Sequence, residues 1–146
     1  MDQELAIAAV GHAIQLSVAP VFLLSGIGAM LAVMTNRLSR IVDRGRVVET
    51  SLTGKAPTEA EAILAHLALL KRRAKTINYS ITLCTITALI VSAVVATLFV
   101  AAYFGFDASL PIAVLFVAAM TTLFVGLLFF LREIFIATRN LRIGGR

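Results

Sequence analysis

The sequence contains no tryptophan, one cysteine, two histidines and three prolines, and only 14% of it is charged. A single cysteine, Cys84, excludes an intramolecular disulfide and a zinc framework. His66 has no cysteine, aspartate or second histidine at ligand spacing, so no metal site is expected. Gly-rich phosphate loops, nucleophile elbows and H-E-x-x-H patterns are absent, and with them the chemistry they support. No long apolar run carries an acid or base near its middle, as proton- or metal-coupled transport usually requires. An enzyme and a bound cofactor are therefore not expected. What remains is apolar: 60% of 146 residues, with a mean hydropathy of +0.96. A soluble domain of this size cannot bury that much side chain, because its surface is too large for its volume. The expected solvent is a bilayer.

Three uncharged runs cover residues 5–36, 76–106 and 108–131. Each exceeds the roughly 20 residues that a helix needs to cross about 30 Å of hydrocarbon. Backbone groups in lipid must pair within their own segment, and barrel-type alternation is absent, so the runs read as helices. The expected fold is an all-α membrane protein with spans at about 8–36, 76–104 and 109–132. The opening MDQELAIAAVGHAIQLS carries Asp2 and Glu4 where a secretory signal carries positive charge, and is read as a retained helix. All 13 Lys and Arg fall in two places, nine between Arg37 and Lys75 and four from Arg132 onward. The positive-inside rule then puts the N-terminus outside and the basic middle segment and C-terminus in the cytoplasm. The net charge of +5 is accounted for by this topology and calls for no nucleic acid.

Between the first two spans, residues 37–75 read as a cytoplasmic helical hairpin. Nothing breaks the first helix between Met30 and Arg44, so it is expected to continue to about Val48 or beyond. Gly54 and Pro57 mark the turn, and Thr58 with Glu61 makes a T-x-x-E capping box for the second helix, expected over 59–103. Ile63, Leu67 and Leu70 form a stripe that Ile41 and Val48 can cover. GFDASLP, at 105–111, is a short turn that sends the third helix back beside the second.

The spans carry polar stripes. At about 100° per residue, Ser25, Gly28, Ala29, Ala32, Thr35, Asn36, Ser39 and Asp43 share roughly a third of the first helix's circumference. Such a face packs against another helix, because small residues admit close backbones, or it lines a pore. His12 and Gln15, one turn apart, together with Pro20, mark either a wetted helix end with a static bend or an outer vestibule with a hinge. In the second span Asn78, Thr82, Thr85 and Ser92 share one face, and Thr76, Ser80, Cys84 and Thr87 another. In the third, Ala118, Thr122 and Gly126 form a small-xxx-small row, and Arg132 and Glu133 mark its end. Arg37, Arg40, Asp43 and Arg44 are candidates for a cytoplasmic ring of charge, and the arginines at 37, 40, 44 and 46 equally for contact with anionic lipid headgroups or for plain topology anchors.

The run from APVFLLSGIGAML to TNRLSRIVDRGR resembles the signature segment of a domain-of-unknown-function family of small three-span bacterial membrane proteins. The positions carrying the likeness are Pro20, Ser25, Gly26, Gly28, Asn36, Arg37, Arg40, Asp43 and Arg44. The resemblance implies the bacterial inner membrane and a helical cytoplasmic hairpin, and supplies no activity. Three helices are too few to enclose a water path, so transport would need a homo-oligomer. The leading expectation is a homo-oligomeric ion channel with the first helix nearest the axis. Asp2 and Glu4 at one mouth and arginines at the other leave the sign of the permeant ion open. The alternative is a scaffold or assembly protein whose arginine-rich hairpin binds a partner or anionic lipid.

Overall fold

The computed structural model describes residues 2–52 and 57–141 and is helical almost throughout. The helices are α1 (Asp2–Thr50), α2 (Pro57–Phe104) and α3 (Ser109–Leu141), with 49, 48 and 33 residues. At 1.5 Å per residue α1 and α2 are each about 70 Å long, more than twice a bilayer's hydrocarbon. All three are long and apolar enough to cross a membrane. Phe22, Leu89, Leu110 and Phe124 are each more than 60% exposed, an apolar surface that only lipid suits.

Helix α1 runs through Gly45 to Thr50, where hydroxyls close it: Thr50 Oγ1 donates to the Val47 carbonyl at 2.9 Å and Ser51 Oγ to that of Val48 at 2.6 Å. These bonds satisfy carbonyls that the end of a helix leaves open. Pro57 occupies the first position of α2, where its missing N–H costs nothing. The helix thus starts ahead of Thr58, whose side chain, and with it the capping box, lies outside the described residues, as does Gly54. Gly105 ends α2 in the left-handed region at φ 70° and donates its N–H to the Ala101 carbonyl at 2.9 Å. Two residues on, Asp107 accepts the Ser109 N–H at 2.9 Å and opens α3. That bond, with one from the Ser109 hydroxyl, holds the Asp107 carboxyl below its ordinary value of 3.8.

The chain divides into two compact units. One comprises Met1–Leu31 and Leu83–Phe124. Its buried side chains are Ala13, Ser17, Pro20 and Ile27 of α1, Cys84, Thr87, Val91 and Val94 of α2, Ala108 of the turn, and Ala119 of α3. The other comprises Ala32–Thr82 and Val125–Arg146. There Met34, Leu67, Leu70, Ile77, Ser80, Gly126 and Glu133 are buried, with Ile41, Val48 and Ile63 half-buried. The stripe Ile63, Leu67, Leu70 thus faces inward as its spacing predicts. A shallow groove of about 280 Å³ remains between Ile41, Val42 and Gly45 on one helix and Leu67, Leu70 and Ala74 on the other.

Hydroxyls in the spans look to their own helices. Thr82, Thr87, Ser92, Thr97, Thr121 and Thr122 each donate to the carbonyl four residues back, at 2.8–3.0 Å. Ser17, Thr35 and Ser39 do the same three residues back. Among the described residues no buried side-chain nitrogen or oxygen lacks a partner.

Candidate functional site

Glu133 is the last acid in the sequence and the only one after Asp107. It follows the apolar run LLFFL (127–131) and Arg132 at the end of the third span, and Gly126, seven residues earlier, lies on the same face of α3. Its side chain is 1% exposed. An isolated carboxylate so buried would be costly, and this one is held from two other helices. Arg73 of α2 places Nη2 at 2.7 Å and Nε at 3.2 Å from Oε1. Arg37 of α1 places Nη1 at 3.1 Å from Oε2. Both carboxylate oxygens therefore accept charge-assisted bonds. Arg37 also lies over the Phe130 ring, 5.6 Å from its centroid. Nearby, the Tyr79 and Phe129 rings meet at 6.4 Å, and the Lys75 ammonium sits 6.0 Å from the Tyr79 ring. Two arginines and one glutamate leave the cluster with one net positive charge.

Arg37 is thus set apart from the other candidate charges. Its guanidinium is spent inside the molecule, whereas Arg40, Asp43 and Arg44 are exposed. The importance of Glu133 and Arg73 was missed in the sequence. The available signal was an isolated acid at the end of an apolar run, in a sequence with a surplus of basic residues.

The other candidates separate by face. Ser25, Gly28, Ala29, Ala32, Thr35, Asn36, Ser39 and Asp43 are all exposed, on the side of α1 away from Ile27 and Met34. A Cβ added at Gly28 would meet nothing within 4 Å. The Ser25 hydroxyl and the Asn36 amide hold no hydrogen bond among the described residues. The stripe therefore packs against no helix of its own chain. His12 and Gln15 are exposed and Pro20 is buried, so the three do not share a surface. In α2 the two stripes part: Asn78, Thr82, Thr85 and Ser92 are exposed, while Ser80, Cys84 and Thr87 are buried and Thr76 is half-buried. In α3 the packed row differs from the expected one by a residue. Ala118 is exposed and Ala119 is fully buried, in line with Thr122, Gly126 and Glu133. Spacing alone does not separate Ala118 from Ala119, because both lie within one turn of Thr122.

Three long apolar helices, joined by ion pairs to one buried carboxylate, define a multi-pass, all-helical membrane protein. The chain belongs to the DUF2721 family, described as a protein of unknown function, whose model matches residues 17–143. That stretch contains the α1 stripe and all three members of the ion cluster. Neither a curated protein nor a solved structure matches the chain.

Proposed function

We propose that the protein is a homo-oligomeric ion channel of the bacterial inner membrane, with α1 nearest the central axis. The observation that carries this reading is the exposed small and polar face of α1, opposite its packed face and running from Ser25 to Asp43. An unpaired amide facing hydrocarbon costs roughly several kcal/mol, so Asn36 favours water or a second copy of the chain. Small residues at Gly28, Ala29 and Ala32 suit close approach of copies around an axis. In this reading the N-terminus is outside, the α1–α2 hairpin is cytoplasmic, and Arg40, Asp43 and Arg44 ring the inner mouth. Lipid and permeant ions are then the other partners.

Flux of monovalent cations and anions into liposomes holding the purified protein tests the function. Selective flux, reduced by bulky residues at Ser25 or Ala32, is expected. No flux of any ion across a range of voltage and pH sinks the proposal. Assembly is tested separately by Ala32→Cys in a Cys84→Ala background: a disulfide-linked dimer is expected, and its absence under oxidation removes the axial role of this face. A scaffold reading draws on one observation, the apolar groove of the hairpin beside exposed Arg46 and Lys71. It predicts a captured cytoplasmic partner that is lost in Arg40→Ala/Arg44→Ala.

A further inference from the structure

We infer that Arg72 of α2 and Arg132 of α3 form a binding site for the headgroup phosphate of an anionic phospholipid. A cavity of about 260 Å³ lies between these two helices, lined by Leu69, Arg72, Arg73, Thr76, Arg132 and Ile136 and by the buried Glu133. A water occupies about 30 Å³ of liquid, so the space admits a phosphodiester with ordered water. Arg73 and Glu133 are committed to each other. Arg72 and Arg132 are not: both are exposed, and neither guanidinium has a partner among the described residues. They come from different helices and line the same cavity. Guanidinium groups present paired N–H donors that fit phosphate oxygens. The Thr76 hydroxyl already donates to the Arg72 carbonyl at 3.1 Å, which fixes it as part of the wall.

The ion cluster beside the cavity does not repel a phosphate. Glu133 is outnumbered by Arg37 and Arg73, so the cluster is net positive even though it contains a carboxylate. The surroundings favour a lipid over a soluble anion. On α3, Leu128, Leu131 and Phe135 are 47–60% exposed on the face that carries Arg132. On α2, Leu69, Arg72, Thr76 and Tyr79 follow at spacings of three and four, on one face. A phosphate between the two arginines would lie at the end of a span, with apolar surface leading away toward the hydrocarbon for acyl chains. The site lies apart from Arg40 and Arg44, and it does not depend on the channel reading.

The test is native mass spectrometry of the full chain in detergent, with added phosphatidylglycerol or phosphatidylcholine. Wild type is expected to retain phosphatidylglycerol preferentially. Retention should fall about tenfold in Arg72→Gln/Arg132→Gln and by less in each single variant, as for loss of one or two surface arginines. Arg40→Gln/Arg44→Gln should retain lipid as wild type does. Because Arg72 and Arg132 are exposed and unpartnered, helicity by circular dichroism should be unchanged. Equal retention of the two lipids, wild-type retention in the single and double Arg72 and Arg132 variants, or loss only in Arg40→Gln/Arg44→Gln would overturn the site. Displacement of the lipid by millimolar inorganic phosphate would overturn its assignment to a lipid.

Discussion

Replacing Arg73 with Met should destabilise the protein more than any other single change in the ion cluster. The substitution removes both N–H donors from Oε1 of Glu133, including the 2.7 Å bond, and leaves Arg37 at 3.1 Å on Oε2. With 1% of its side chain exposed, Glu133 cannot recover the loss from water. Stripping one partner from a buried pair typically costs about 3–5 kcal/mol. Arg37→Met removes one longer bond, and Arg37 is 38% exposed, so solvent already screens it. Its expected cost is about 1–2 kcal/mol, at the lower end of charge-assisted bonds. Replacing all three members, Arg37→Met/Arg73→Met/Glu133→Leu, removes the buried charge with its partners and should come within about 1 kcal/mol of wild type. Without tryptophan the protein has little intrinsic fluorescence to follow, so unfolding in mixed micelles is read by far-ultraviolet circular dichroism. Labelling of Cys84, fully buried in the folded state, gives a second probe. An Arg73→Met variant within about 0.5 kcal/mol of wild type, or a triple variant as unstable as Arg73→Met, refutes the argument.

Asp107 is ionised more readily in the folded chain than at its ordinary value of 3.8. Its contribution is therefore present above that value and lost as the pH falls through the lower, folded one. Asp107→Asn keeps an oxygen for the Ser109 N–H but not the charge, so its thermal midpoint should vary less with pH in the acid range. Parallel pH profiles for the two proteins would contradict this. Gly105→Ala should cost about 1 kcal/mol, because the residue sits at φ 70° with open space around it and the penalty is backbone strain alone. A midpoint unchanged on thermal melting would show that the turn relaxes.

Much of the fold was legible because lipid imposes simple constraints. Uncharged runs of more than 20 residues have one stable conformation in hydrocarbon, which gave three helices; the runs do not mark where the helices stop, and α3 continues to Leu141, past the expected 132. Gly105 and Pro57 punctuate the chain as their backbone preferences require. The 3.6-residue period placed Leu67 and Leu70 inward and sorted the two stripes of α2 onto different surfaces. Two matters were not legible. Whether the face of Ser25 and Ala32 is packed or bare depends on which side of α1 its neighbours take, and a period records angles along one helix only. The pairing of Arg37, Arg73 and Glu133 joins residues 60 and 96 positions apart. Charge near a span end reads first as a topology signal, and that reading concealed Glu133, the acid that among the described residues is removed from solvent.

The hydroxyls of α1 carry a consequence for whatever meets that helix. Thr35 and Ser39 each direct their single proton into the backbone of their own turn. What they present outward is oxygen lone pairs, so this stretch of the face is an acceptor surface with the Asn36 amide between them as its donor. A neighbouring helix lined with similarly self-bonded hydroxyls would offer acceptors to acceptors and gain little. A desolvating cation, or a side chain bearing N–H groups, would find complementary oxygens there.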